Sequence, residues 1–415
     1  MKRNLTLAVL SFVALLASSA FAAGAQPVAV YTFTCNGSPL SRIGACPEGA
    51  IPYSLLQGSD GNSYGNTQMS SQGKSDTGGT VFSLTPAGKV TVLHTFLAGA
   101  DKTFANGSNP GLLVEGSDGK LYGSTIYGGI NGGEGFIGDG VLFRVNKKGS
   151  GFQVIHKFCS ETNCADGITT TALLAAPDGN LYGTTFAGGT GSCSGGGCGT
   201  IFKITPSTGA YEVVFSFPDE TTDGYEPTSL IVGPNGSLYG NSGRLFEYTP
   251  STVVFQIVPV SFPLVNGLQS GGAVEVVGAN GNFYGLYGVF TLSSAGLFEV
   301  DTDGSNVQLF PFYTTKDGDG TPDGLVLGSD GNFWMADFNG STGYGDIISL
   351  SSSDGAVLQT FTPFSSTAAV GAYPAGIVQA KDGTFWGTST DFGKASKGHF
   401  AAGVAFSLNA GLPPR

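Results

Sequence analysis

One nine-residue stretch, repeated seven times, limits what this chain can fold into more than any other feature. SDGNSYGNT begins at Ser59 and SDGKLYGST at Ser117, followed by PDGNLYGTT at Pro177, PNGSLYGNS at Pro234 and ANGNFYGLY at Ala279. SDGNFWMAD at Ser329 and KDGTFWGTS at Lys381 complete the set. Between Asp60 and Asp382 the mean period is about 54 residues. Each copy joins two apolar runs through Asp-Gly or Asn-Gly, a pair that tolerates the positive φ of a tight hairpin. A period near this length with several β-runs per unit predicts propeller blades.

A second hairpin follows each Gly-rich connection. It reads GTVFSLTPAGKVTVLHTF at 79–96, GVLFRVNKKGSGFQVIHKF at 140–158 and GTIFKITPSTGAYEVVFSF at 199–217, and recurs at 243–262, 296–312 and 345–361. Two hairpins make one four-stranded blade. Only six second hairpins are complete, and the seventh is divided between the ends of the chain. GVAFSL at 403–408 is a third strand without a partner, and VAVYTF at 28–33 is a fourth strand with nothing before it. Pairing them closes the ring and leaves no sheet edge unpaired. The fold expected is therefore all-β, a seven-bladed β-propeller of four-stranded blades in which the N-terminal strand completes the last blade. It forms a single domain over 28–408, with a short tail at 409–415.

The repeat separates scaffold from candidate site. Tyr64, Tyr122, Tyr182, Tyr239, Tyr284, Trp334 and Trp386 share one position, and Phe82, Phe143, Phe202, Phe246, Phe298 and Phe406 another, with Ile348 as the exception. One aromatic per blade on each of two strands is what packing between blades requires, so the ladder reads as core.

Ahead of the repeats, residues 1–22 carry a basic start (Lys2, Arg3), an apolar stretch over 5–16 and the small-x-small sequence Ala20-Phe21-Ala22. These are the marks of a secretory signal peptide cut after Ala22, with Ala25 the alternative, and the protein is expected outside the cytoplasm, secreted or periplasmic. No later apolar run is long enough for a spanning helix. The chain has 68 Gly, 30 Phe and 15 Tyr against 3 Met, and only 12% of its residues are charged. Its glycines fall at turns between apolar runs, as many short strands demand. Net charge is −12, which argues against a nucleic-acid partner or an anionic lipid surface. A monomer is expected.

Six cysteines follow the leader, and an even count in an oxidising compartment predicts disulfides between neighbours: Cys35 with Cys46, Cys159 with Cys164, Cys193 with Cys198. The rival reading is a four-thiolate zinc site from the last two pairs, which are spaced alike.

Several of these stretches taken together resemble the GloVer tandem repeat of extracellular bacterial proteins of the choice-of-anchor type. They are GTIFKITPSTG, the Phe-Ser-Phe strand end, DGYEP and PDGNLYGTTFAGG. The resemblance runs from about Val28 to Leu408 and implies a repeat architecture, with no reaction attached to it.

Candidates for chemistry are few. His94 and His156 occupy the strand position that Phe215 fills in the next blade, and His399 stands alone in a loop, so a Ser-His-Asp arrangement has one usable histidine and no G-x-S-x-G elbow. DGNFW and DGTFW also resemble streptogramin-lyase-like propellers, whose activity needs a catalytic histidine. KDGDGTPDG at 316–324 places Asp317, Asp319 and Asp323 at the spacing of Ca²⁺-loop carboxylates. It lacks the closing Glu of an EF-hand, and it occupies the same slot between blades as DGYEP and EGAIP, so a plain turn is the alternative. No other cofactor is expected. The face carrying the long loops after the second strands, opposite the Asp-Gly turns, is where a ligand is expected. The function expected is binding or scaffolding of a cell-surface glycan or protein. The alternative is a lyase or hydrolase at the channel mouth.

Overall fold

A computed structural model describes residues 25–36, 46–69, 77–99, 103–130, 138–193, 196–219, 221–262, 264–265, 268–269, 272–289, 294–314, 322–391, 393 and 399–415. Seven four-stranded antiparallel sheets are present, each with its strands in the order a, b, c, d. In blade 1 these are Ala50–Gln57, Ser63–Met69, Thr77–Leu84 and Val90–Leu97. In blade 3 they are Ile168–Ala175, Leu181–Ala187, Thr200–Thr205 and Ala210–Ser216. Blade 6 comprises Pro322–Leu327, Phe333–Asp337, Asp346–Leu350 and Val357–Phe361. The a strands of neighbouring blades touch all the way round, blade 7 meeting blade 1, so they line the axis and the ring is closed.

Closure follows the expected register. Strand a (Ala372–Gln379), strand b (Phe385–Asp391) and strand c (His399–Leu408) of blade 7 come from the end of the chain, and strand d is Val28–Asn36. Ala29 lies opposite Phe406, Tyr31 opposite Ala405 and Thr32 opposite Val404. The six cysteines pair as 35–46, 159–164 and 193–198, so the zinc reading falls away.

The aromatic ladder is core. The five Tyr and two Trp are at most 8% exposed, and the six Phe of strand c are fully buried. Burying each such ring contributes about 1.5–3 kcal/mol. The ladder also dictates its neighbours. A Cβ on Gly183 would fall 2.3 Å from Cζ of Phe202, and Gly65, Gly123, Gly240, Gly285 and Gly387 face their own Phe at 2.4–2.7 Å. Blade 6 solves the same volume differently, setting Met335 opposite Ile348.

Neighbouring blades are locked by a Gly and a Pro. A glycine in or just before strand c has φ between +92° and +112° at Gly79, Gly199, Gly345 and Gly403. A side chain there would strike Cδ of Pro110, Pro227, Pro374 and Pro52 of the following blade at 2.1–2.8 Å. The residue before each proline is itself left-handed: Asn109 (φ 57°), Glu226 (49°), Tyr373 (61°) and Ile51 (58°). Backbone N–H groups of Glu226 and Tyr373 donate to the carbonyls of Cys198 (2.9 Å) and Tyr344 (2.7 Å) in the preceding blade.

Candidate functional site

The repeated stretch builds one face of the ring from the residue upward. In the first three blades the Asp of the turn accepts the backbone N–H two residues on, at 2.9–3.2 Å. It also accepts the ladder Tyr hydroxyl: Tyr64 to Asp60 at 2.7 Å, Tyr122 to Asp118 at 3.0 Å and Tyr182 to Asp178 at 2.9 Å. In blades 4 and 5 the turn residue is Asn235 or Asn280, whose Nδ2 donates both to the Tyr hydroxyl and to Glu247 or Glu299 on strand c. An amide replaces the carboxylate where a glutamate stands beside it, which avoids two facing negative charges.

The residue before that Asp varies, and it connects blades. Ser59 donates its N–H (2.8 Å) and hydroxyl (2.6 Å) to Glu115 of blade 2. Ser117 donates to the Gly179 carbonyl of blade 3 at 2.7 Å, and the Ser329 N–H to Gln379 of blade 7 at 2.8 Å. Between the turns of blades 7, 1, 2 and 3 lies a cavity of about 420 Å³, lined among others by Gln57, Ser59, Glu115, Ser117, Ala176 and Lys381. Glu115 forms a 2.6 Å ion pair with Lys147 from the outer turn of blade 2. Burial pushes its carboxyl up, but Lys147 and the two Ser59 donors outweigh burial and hold it below the usual range. Among the described residues the Lys381 ammonium has one long contact, 3.5 Å to the Ser59 carbonyl. On the same face the 409–415 tail crosses blades 6 and 7. Pro413 O accepts from the Ser329 hydroxyl at 2.6 Å, the Arg415 N–H donates to Lys381 O at 2.9 Å, and Ala410 and Leu412 are buried.

This face is opposite the one expected to hold a ligand. Parts of the long loops there, 131–137, 194–195, 392 and 394–398, lie outside the described residues. What the sequence reading missed is the residue ahead of the turn's Asp or Asn, which is Ser at 59, 117 and 329, Pro at 177 and 234, Ala at 279 and Lys at 381. That variation was the available signal.

The histidines occupy sheet positions. His94 stacks on Phe152 of the next blade, ring centroids 3.4 Å apart, and burial pushes its pKa down to about 4. His156 stacks on Tyr211 at 3.7 Å, as Phe215 does on Phe255 at 3.9 Å. Nε2 of His156 lies 3.0 Å from Oδ2 of the buried Asp166, and the Ser160 hydroxyl donates to that same oxygen at 2.6 Å. Serine, imidazole and carboxylate thus converge, but the serine proton already goes to Asp166, so the imidazole is not placed to receive it. The backbone of His399 opens strand c of blade 7 opposite Asn36, rather than standing in a loop. Asp317 and Asp319 of the candidate Ca²⁺ loop lie outside the described residues, as does the side chain of Asp323, whose backbone pairs with Ala336. Among the described residues no three His, Cys, Asp or Glu gather as metal ligands. No helix among them is long and apolar enough to cross a membrane.

A family model described as the Gloeobacter/Verrucomicrobia repeat matches residues 16–242, more than half of the chain. No curated protein matches in sequence. A copper-containing fungal alcohol oxidase of the AA5 family is similar in structure (TM-score 0.58, 14% identity, 94% of this chain and 79% of that one). So is PorZ, a bacterial surface component of the type-IX secretion system of Porphyromonas gingivalis (0.54, 15%, 91% of this chain and 48% of that one). A putative 6-phosphogluconolactonase from Bacteroides uniformis also matches (0.52, 11%, 81% and 96%). Identities this low establish the shared fold alone.

Proposed function

Because this chain belongs to the Gloeobacter/Verrucomicrobia repeat family and closes into a seven-bladed ring, we propose that it is a secreted binding module. Its ligand is a hydroxyl-rich extracellular molecule, a glycan or the glycan-bearing face of a protein, received in the cavity between these turns. The observation that carries this reading is the cavity of about 420 Å³ between the turns of blades 7, 1, 2 and 3. Its volume suits a small ligand or one end of a larger one. Serine hydroxyls, glycine backbone and one ammonium with a single long contact supply hydrogen-bonding groups for hydroxyls. Three disulfides support a site of action outside the cytoplasm.

Binding is favoured over catalysis by the state of the one carboxylate in the cavity. Glu115 is held ionised by Lys147 and Ser59, so it has no proton to give, and both of its oxygens already accept hydrogen bonds. Thermal shift and calorimetry against a panel of oligosaccharides test the proposal. A hit should weaken at least tenfold in Lys381→Ala and disappear in Ser117→Trp, which fills the cavity. A hit that survives both variants places the ligand elsewhere, and turnover of a panel member would favour the enzyme reading.

A further inference from the structure

Blade 6 departs from the repeat at one buried place on the face opposite the cavity. In blades 1 and 3 the third residue after the ladder Tyr is Thr67 or Thr185, hydrogen-bonded at 2.9 Å to Thr80 or Thr200 on strand c. Blade 6 has Asp337 and Asp346 at these two positions, opposite one another in register and only 1% and 0% exposed. Two hydroxyls need no counter-charge, whereas two buried carboxylates side by side do. Among the described residues, no ion pair joins either carboxylate to a Lys, Arg or His.

The connecting loop closes over the pair. Asp337 accepts the Gly340 N–H at 3.0 Å, and Oδ2 of Asp346 accepts the Ser341 N–H (2.7 Å) and hydroxyl (2.9 Å). The Asp346 carboxylate is aimed into the loop, since a Cβ on Gly340 would fall 2.7 Å from its Cγ. Its other oxygen, Oδ1, is buried and has no hydrogen-bond partner. Oxygen-bearing side chains recur at alternate positions, Asp337, Asn339 and Ser341, the manner in which chains present hard ligands to Ca²⁺.

We propose that Asp337 and Asp346 hold a divalent cation, Ca²⁺ by the all-oxygen character of the surroundings, with Ser341 and loop carbonyls completing the shell. Two carboxylates balance its charge, and the unpartnered Oδ1 becomes a ligand atom. The bound ion would also fasten blade 6 to blade 7. The same loop presents the Tyr344 carbonyl to the Tyr373 N–H at 2.7 Å and packs Gly345 on Pro374.

The test uses the full chain, freed of metal by chelator and titrated with Ca²⁺ at pH 7.5, read by equilibrium dialysis and thermal melting. The expected result is about one bound ion per chain and a melting temperature raised by several degrees. Both should vanish in Asp337→Thr/Asp346→Thr, which restores the arrangement of blade 3, and persist in Asp317→Asn/Asp319→Asn. If the threonine pair does not fold, Asp346→Asn alone should weaken binding at least tenfold. Wild-type protein that binds no ion and melts at one temperature with Ca²⁺ or chelator overturns the proposal. So does binding lost in the 317/319 variant but retained in the Asp337/Asp346 one. A wild type that ignores Ca²⁺ but gains stability as the pH falls would show that a shared proton neutralises the pair instead.

Discussion

Gly183 and Phe202 are one decision made by two residues, because the ring of one occupies the space a Cβ on the other would need. The pairing recurs in six blades, and blade 6 keeps the volume by exchanging both partners for Met335 and Ile348. Gly183→Ala should therefore cost about 1–3 kcal/mol by overpacking. In denaturant titrations, adding Phe202→Ile should recover part of that loss; a double variant no more stable than the single one would show that the two sites are independent. His94 follows similar logic, being an aromatic by position and a titrating group by chemistry. Its folded pKa, about 4, lies below the unfolded value of about 6.5. Between these pH values the unfolded chain binds more protons, so the contribution is complete above pH ~6.5 and is lost as the pH falls toward ~4. His94→Phe, the residue type at this position in blade 3, should leave melting at pH 7.5 nearly unchanged and raise it at pH 5. Equal shifts at both pH values would mean that packing alone was altered.

At the scale of elements, connections rather than strands distinguish the blades. The Cys159–Cys164 and Cys193–Cys198 disulfides clip connections on the same face, and these connections touch where the Gly189 N–H donates to the Cys164 carbonyl at 2.9 Å. Clipping a loop this short removes about 2 kcal/mol of chain entropy from the unfolded state. Cys193→Ala/Cys198→Ala should lower stability by roughly that amount while leaving the ring intact by circular dichroism. A loss near zero would show that the loop holds its shape through hydrogen bonds alone. The turns of the other face need no clip, because Asp60, Asp118 and Asp178 already tie backbone and ladder tyrosine together.

For the molecule as a whole, closure is the cooperative step. Strand d of blade 7 precedes blade 1 in the chain and strands a to c follow blade 6, so the ring shuts only when these distant segments pair. Removing residues 25–36 exposes the outer edge of strand c in blade 7 and takes away the buried Phe33, uncovering Phe82 of blade 1, against which it packs at 5.1 Å. The truncated protein should lose the single sharp unfolding transition and become aggregation-prone. Adding the missing strand in trans as a peptide should restore it in part. A truncation that melts as sharply as the full chain would place the closing interaction elsewhere.

The number of blades, the strand order, the split seventh blade and the disulfide pairing were all legible in the chain itself. Each depends on local pattern, a fixed period or a short separation, and a repeat states its own register seven times. What only the tertiary structure decided lies between blades. Sequence distance hides that Lys381 and Ser59, at opposite ends of the repeat array, share one cavity, or that Gly345 reserves space for Pro374. The same holds for Asp337 and Asp346: nine residues apart in an unremarked loop, they become a buried pair only because antiparallel pairing sets them face to face. Local propensity builds the blades. Where the charges end up depends on how the blades are brought together, and burial then decides what those charges require.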